Sequence, residues 1–157
     1  AEFDTDAVPS AAPGISVQGT DGWFTCGPQG MPGTDKPNMD TVPAMALFSA
    51  KKPLKRNVTW QYEGPVLADF GHQLSRTYEC PDLFQLDGKT VAIGALMHYR
   101  DKQGRFQQVR WYVGDLKDTA DGPRLQVGNS DWCDFGTGYY ATQSFAADDG
   151  RRIVFGW

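Results

Sequence analysis

Residues 82–94 read Asp-Leu-Phe-Gln-Leu-Asp-Gly-Lys-Thr-Val-Ala-Ile-Gly, and this stretch decides the fold. Two apolar runs, 83–86 and 91–93, flank the pair Asp87-Gly88. An Asp-Gly pair between apolar runs is a strong signal for a β-hairpin turn. The stretch therefore predicts two antiparallel strands that are joined at Asp87-Gly88 and followed by a glycine, Gly94.

The same pattern occurs three times along the chain. Asp-Gly pairs at 21–22, 87–88 and 149–150 each join two predicted strands, which are 15–17 and 23–26, 82–86 and 91–93, and 140–145 and 152–155. A glycine follows the second strand of each unit. The pairs lie about 66 and then about 62 residues apart, and self-similarity at a fixed period indicates a repeat architecture. A unit of ~60 residues made only of strands is typical of a four-stranded propeller blade.

The predicted fold class is all-β. Residues 1–157 would form a segment of a single β-propeller domain, without an internal domain boundary. The chain holds about two and a half blades, whereas a propeller typically has 4–8. We therefore expect the remaining propeller segment to come from the same protein or from a second chain. The alternative is a two-sheet β-sandwich whose turns are similar by coincidence.

Further strands are predicted between the turns. Apolar runs at 44–49 and 58–62 supply the third and fourth strands of the first unit, and 109–114 supplies the third strand of the second. Residues 27–40, rich in Gly, Pro, Asn and Asp, predict a long loop. We find no window with the sustained 3.6-residue period of a capped helix.

Composition restricts the class of protein. The 157 residues suffice for one ordinary domain, and a net charge of -4 argues against a nucleic-acid partner, which requires a basic surface. No apolar run approaches the ~20 residues needed to cross a membrane, so we expect no membrane partner. The polar start, residues 1–4, has neither the basic nor the apolar region of a signal peptide.

Metal and cofactor chemistry has little support in the sequence. The three cysteines, Cys26, Cys80 and Cys133, cannot all pair within the chain, and they lack C-x-x-C spacing. The two histidines, His72 and His98, have no partner at ligand spacing. We therefore predict no metal site and no cofactor.

Glu79 is the only carboxylate whose setting suits catalysis. It lies at the start of the predicted hairpin, before Cys80 and Pro81, and the proline fixes its own φ and removes one N–H donor. A carboxylate on a rigid strand has the fixed placement that catalysis requires. The alternative is a surface glutamate that merely precedes a strand.

Several segments, in the right order, resemble the invertase, levanase and inulinase family of glycoside hydrolases, family 32. Residues 78–84, Tyr-Glu-Cys-Pro-Asp-Leu-Phe, resemble its Glu-Cys motif. Residues 134–145 resemble its D-x-G…Y-A-x-Q-x-F segment, and 151–157, Arg-Arg-Ile-Val-Phe-Gly-Trp, resemble the strand that follows it. Stretches before and after the Glu-Cys motif fit as well, at 46–49, 60–64 and 111–115. The resemblance covers roughly residues 15–157. It implies a five-bladed propeller with its active site in the central funnel.

The resemblance implies retaining hydrolysis of β-fructosyl bonds in sucrose, levan or inulin. Glu79 would be the general acid/base, which protonates the leaving-group oxygen and later activates water. The family's nucleophilic aspartate lies in a W-M-N-D-P-N-G-like motif, which this sequence lacks. Its third carboxylate lies in an R-D-P motif, whose place in the repeat is taken here by Pro13. This chain alone is therefore predicted to be inactive.

Two further residues are predicted to bind substrate. Asp134 could orient a sugar hydroxyl, although an aspartate before Phe-Gly also commonly caps a turn. Cys80 could shape the surroundings of the acid, whereas a small buried thiol commonly serves packing. The five tryptophans could stack on sugars or fill the blade cores: Trp23, Trp60, Trp111, Trp132 and Trp157.

Three functions stay open. The first is a segment of the catalytic propeller of a β-fructofuranosidase-like glycosidase, with a fructosyl-containing carbohydrate as substrate. The second is a propeller that binds fructans or other glycans without cleaving them, which the missing R-D-P motif favours. The third is a fructosyltransferase, which uses the same residues with a sugar as acceptor. A glycosylation sequon at Asn57 and the polymeric substrates favour an extracellular or secreted location.

Overall fold

The structure, a computed structural model, describes residues 13–14, 22–26, 43–50, 59–72, 77–97 and 99–157. They form two four-stranded antiparallel sheets and one two-stranded sheet. The first sheet contains, in spatial order, β1 (Pro13–Gly14), β2 (Gly22–Cys26), β3 (Ala44–Ala50) and β4 (Gln61–Ala68). The second contains β5 (Thr77–Leu86), β6 (Lys89–Met97), β7 (Val109–Lys117) and β8 (Arg124–Trp132). The third is the hairpin of β9 (Gln143–Ala146) and β10 (Arg152–Phe155).

The predicted all-β fold, a partial β-propeller, is confirmed. Each four-stranded sheet is a meander in which neighbours in sequence are neighbours in space, as in a propeller blade. Two such sheets and one hairpin correspond to the expected two and a half blades. Within the described ranges, the single helical segment is a 3-10 turn at Phe70–His72, and none of their helices has the length and apolar character to cross a membrane.

The central hairpin forms as predicted. Leu86 pairs with Lys89, and the two residues between them, Asp87 and Gly88, have φ of 48° and 75°. Positive φ at both central residues is the condition that favours Asp-Gly in a two-residue hairpin. The turn at Gly150, with φ of 85°, joins β9 to β10 and is also confirmed. Asp21, the predicted strand at 15–17 and the predicted loop at 27–40 lie outside the described residues.

The glycines that close the second and third repeats lie in close packing. A Cβ on Gly94 would lie 2.7 Å from Cε of Met45, in the first sheet. In the third unit, a Cβ on Gly156 would lie 2.5 Å from the ring of Tyr139. Both distances are shorter than atoms tolerate, so a side chain at Gly94 would require the Met45 side chain to move, and one at Gly156 would require the Tyr139 ring to move. Gly94 thus permits close contact between the first two sheets, whereas Gly156 permits close packing within the third unit.

Two strand predictions were wrong in their bounds, and one strand was not predicted. β4 runs over Gln61–Ala68, later than the predicted 58–62. β8 was not predicted, because it is an edge strand with mostly exposed side chains and little apolar signal. β9 begins at Gln143 rather than at Tyr140, because Ala141 has φ of 52° and interrupts the strand. The backbone of Tyr140 still pairs with Trp157, through hydrogen bonds of 3.0 and 2.7 Å.

Two apolar clusters lie on opposite faces of the second sheet. One joins it to the first sheet, and its buried members are Met45, Leu47, Val66, Leu67, Tyr78, Leu83, Ala92, Leu96, Tyr112 and Leu125. The other faces the β9–β10 hairpin and contains Phe84, Val91, Ile93, Ala95 and Val109. Trp132 packs against the first cluster and Trp111 against the second, so these two tryptophans serve packing, whereas Trp157 is 91% exposed.

Candidate active site

A β-bulge in β5 determines where the Glu79 side chain points. Glu79 pairs with Ala95, but Asp82 pairs with Ile93, so three steps along β5 match two steps along β6. The extra residue lies at Cys80-Pro81, and Cys80 has φ of 48°. Because Ala95 and Ile93 share one face of β6, the bulge puts Glu79 and Asp82 on that same face. Without the bulge, the two carboxylates would point to opposite faces.

Glu79 is half-buried, and Tyr140 is its hydrogen-bond partner among the described residues. The Tyr140 hydroxyl donates a hydrogen bond to Oε2 of Glu79. Burial raises the pKa of Tyr140, and the hydrogen bond to Glu79 and its negative charge raise it further. The phenol therefore stays protonated and acts as a donor. The hydrogen bond connects β5 with the segment that precedes β9, 61 residues later in the chain.

Cys80 lies in the bulge, directly beside Glu79. Burial and, after it, the negative charge of Glu79 raise the pKa of the Cys80 thiol, which disfavours the nucleophilic thiolate. Cys80 and Cys133 are both free thiols. The structure thus places Cys80 next to the candidate acid, while its predicted contact with substrate stays a prediction.

Asp134 caps its own turn. Its Oδ2 accepts the N–H of Gly136 at 2.8 Å, and the side chain of Gln108 donates to the carbonyl of Asp134 at 3.1 Å. This geometry favours turn formation, the alternative considered above. Asp134 also borders a cavity of about 470 Å³, between the second sheet and the last hairpin, together with Tyr139, Arg152 and several apolar side chains.

Four polar residues at this site were missed by sequence reasoning. Tyr140, Ser144 and Arg152 lie within the quoted family segments, and Asp82 lies within the Glu-Cys motif, but none of them was singled out. Ser144 donates a hydrogen bond to Asp82, and a nitrogen of Arg152 lies 3.7 Å from the same carboxylate. Regular strand alternation predicts that Asp82 and Glu79 point to opposite faces of the sheet. Their shared face follows only from the bulge, which the sequence does not indicate.

A second buried polar cluster lies where the first two sheets meet. Oδ2 of Asp69, the residue after β4, accepts hydrogen bonds from the hydroxyls of Tyr112 at 2.5 Å and Tyr78 at 3.3 Å. It also lies 2.7 Å from Nδ1 of His72 and 3.9 Å from Nε of Arg110. Burial raises the Asp69 pKa, but the hydrogen bonds from His72 and Tyr112 and the charge of His72 outweigh it and lower the pKa to about 2.

No metal centre is found in the described part of the chain, where no three His, Cys, Asp or Glu side chains lie together as ligands would. His72 instead contacts Asp69 and packs edge-on against the rings of Tyr99 and Trp132. His98 and the sequon at Asn57 lie outside the described residues.

Comparison with known proteins identifies the family. Residues 41–157 match the glycosyl hydrolases family 32 N-terminal domain. A sucrose-6-phosphate hydrolase of Bacillus subtilis is 35% identical over 108 residues, which cover 62% of this chain and 21% of that protein. A sucrose-6-phosphate hydrolase of Vibrio alginolyticus is 30% identical over 120 residues, 73% of this chain and 23% of that protein. The chain thus spans less than a quarter of the length of these curated relatives.

Two solved structures of family 32 proteins are similar to this chain. A glycoside hydrolase family 32 protein from Bifidobacterium adolescentis is 79% identical with a TM-score of 0.75, over 99% of this chain and 25% of that one. A mutant of the family 32 β-fructofuranosidase of Bombyx mori, solved with sucrose, shares the fold at 21% identity and a TM-score of 0.69. This second match covers 92% of the present chain and 28% of the other. The chain belongs to glycosyl hydrolase family 32.

Proposed function

We propose that this chain is a segment of the catalytic propeller of a retaining glycoside hydrolase that acts on β-fructosyl bonds, with Glu79 as general acid/base. The observation that carries the proposal is the placement of Glu79. It is half-buried on a bulged strand, and the hydroxyl of Tyr140 binds one of its oxygens. Catalytic carboxylates require such fixed placement by surrounding groups.

The proposed chemistry has two steps. Glu79 first gives a proton to the glycosidic oxygen, the bond from that oxygen to the fructosyl carbon breaks, and a carboxylate nucleophile takes up the fructosyl group. Glu79 then removes a proton from water, which attacks the fructosyl carbon and releases the nucleophile. Because Tyr140 binds Oε2, we assign Oε1 as the oxygen that exchanges the proton.

The nucleophile is proposed to come from another segment of the propeller. The sequence contains no W-M-N-D-P-N-G-like motif, and Pro13 stands at the place of the R-D-P motif. A retaining glycosidase needs two carboxyl groups about 5–5.5 Å apart, so this chain would act only within a completed propeller. The remaining segment would belong to the same protein or to a second chain.

The proposed substrates are sucrose and related fructosyl sugars. The named activity of the curated relatives, sucrose-6-phosphate hydrolysis, and the sucrose bound to the Bombyx mori protein support this class. Levan and inulin contain the same type of bond.

A fructosyltransferase would use the same first step, with a sugar in place of water as the acceptor. An extracellular location, for which the Asn57 sequon is the sequence support, stays a proposal.

The second candidate is a propeller that binds fructans without cleaving them. The observation in its favour is Pro13 at the place of a family carboxylate. Two assays of the complete protein that contains this chain distinguish the hydrolase from the binder. The first measures cleavage of sucrose, sucrose 6-phosphate, levan and inulin, and the second measures binding of the same sugars by calorimetry. Release of fructose with retained configuration, followed by NMR, supports the hydrolase. Binding of fructans without turnover supports the binder and contradicts the hydrolase.

A further inference from the structure

Asp82 is a buried carboxylate close to Glu79 that the proposed chemistry does not use. Its side chain is almost fully buried, with the residue 4% exposed. A buried charge is costly unless it is paired and hydrogen-bonded. The bulge puts Asp82 on the same face as Glu79, towards the β9–β10 hairpin.

The last hairpin supplies two partners of Asp82. Ser144, in β9, donates its hydroxyl to Oδ2 of Asp82. Arg152, in β10, lies 3.7 Å from Oδ1 of Asp82 and donates from Nε to the Ser144 hydroxyl at 2.8 Å. Its guanidinium also lies 4.2 Å from the ring centroid of Phe84, in β5. These contacts attach the hairpin to β5 beside the bulge.

Two contacts therefore join the same pair of segments. Glu79 meets Tyr140, and three residues further along β5, Asp82 meets Ser144. Between the contacts, the backbone is irregular on both sides, with φ of 48° at Cys80 and 52° at Ala141. Regular ladder pairing is interrupted there, so the Asp82–Ser144 contact is a second side-chain contact between β5 and this segment, in addition to the backbone hydrogen bonds that Tyr140 makes with Trp157.

We propose that Asp82 is a positioning residue for the acid/base Glu79, acting through Ser144 and Arg152 on the placement of Tyr140. This inference rests on the proposed hydrolase function. The Asp82 side chain holds the hairpin, the hairpin sets the place of Tyr140, and Tyr140 orients the Glu79 carboxyl group. Asp82 itself makes no contact with substrate in this proposal.

The test compares Asp82→Asn with Asp149→Asn in the complete protein. The control removes an Asp–Arg pair from the same hairpin, but that pair is in solvent, with side-chain exposures of 54% for Asp149 and 70% for Arg151. The rate is measured on sucrose, which needs protonation of its leaving group. It is also measured as the first burst of phenolate from an aryl β-fructofuranoside, whose leaving group needs little protonation.

Asp82→Asn is expected to lower kcat on sucrose by about 10- to 100-fold, the cost of a misplaced catalytic group. The expected loss in the aryl burst is much smaller, and KM should change little. Ser144→Ala should reproduce part of the loss and Ser144→Thr, which keeps the hydroxyl, should restore it. The Asp149→Asn control should behave as wild type.

Equal losses on the two substrates, or unchanged sucrose turnover, would overturn the positioning role. If Asp82→Asn does not fold, the variants Ser144→Ala and Ser144→Thr are compared on sucrose and on the aryl substrate instead, and the same outcomes apply. If the wild-type protein cleaves no substrate, the hydrolase proposal fails by itself. Crystal structures then test the inference: displacement of Tyr140 from Glu79 in Asp82→Asn or Ser144→Ala supports it, and an unchanged contact refutes it.

Discussion

The contact between the Tyr140 hydroxyl and the Glu79 carboxylate is the smallest unit on which the proposed chemistry depends. Taken alone, Tyr140 could serve only packing, and Glu79 could be a surface glutamate that precedes a strand. Together they form a half-buried donor–carboxylate pair from two distant parts of the chain. A carboxyl group that gives and takes a proton must keep one orientation through both steps, and a phenol that stays protonated is suited to that task.

Tyr140→Phe tests this contact directly. The change removes one hydroxyl and keeps the ring that packs against the second apolar cluster. A hydrogen bond to a charged group contributes about 1.5–3 kcal/mol, which corresponds to at least about a tenfold loss of kcat on sucrose. Tyr62→Phe, at a tyrosine that is 57% exposed, is the control and should leave kcat unchanged. Equal activity of the two variants on sucrose would show that Tyr140 does not orient the acid.

At the scale of strands and turns, the sequence predicts regular elements well and irregular ones poorly. The β5–β6 hairpin was predictable because apolar alternation and Asp87-Gly88 agree with each other. The interruption at Ala141 was not, because alanine has no side-chain chemistry that marks a positive φ. The bulge at Cys80-Pro81 likewise leaves no periodic signal, although it reverses the side-chain alternation of β5.

The same limit explains which part of the site could be predicted. Glu79 was recognised from its motif, and Asp134 from a family segment in which its carboxylate turns out to cap a turn. Asp82 was missed because a buried carboxylate is identified by its partners, Ser144 and Arg152, which lie 62 and 70 positions away in sequence. Such partners become visible only when the last hairpin is placed against β5.

At the scale of the whole molecule, Asp69 joins the first two sheets. It follows the last strand of the first sheet and accepts hydrogen bonds from Tyr78 and Tyr112 of the second. Its side chain is 9% exposed, so these bonds are protected from solvent. Its pKa of about 2 in the folded protein lies below the ordinary 3.8. The ionised carboxylate therefore stabilises the fold above about pH 4, and this contribution is lost as the pH falls towards 2.

Asp69→Asn should show that dependence. The lowered pKa corresponds to about 2 kcal/mol of unfolding free energy at neutral pH. The difference between wild type and Asp69→Asn, measured by urea unfolding of the complete protein, should narrow as the pH falls from 5 to 2. Tyr112→Phe removes one of the bonds that lower the pKa, so its folded-state pKa should lie closer to 3.8 and its stability should fall less than that of wild type between pH 5 and pH 2. A difference between wild type and Asp69→Asn that is the same at pH 3 and pH 7 would contradict this account.

The central claim, that Glu79 is the acid/base of a fructosyl hydrolase, is tested most directly by Glu79→Gln in the complete protein. Glutamine keeps the size and hydrogen-bonding reach of glutamate but cannot transfer the proton. The rate on sucrose should fall by about 10²–10⁴-fold, while the first burst from an aryl β-fructofuranoside stays close to that of wild type. Asp118→Asn, on an exposed loop, should leave both rates unchanged. Near-normal sucrose turnover by Glu79→Gln, or equal losses on the two substrates, would contradict the assignment.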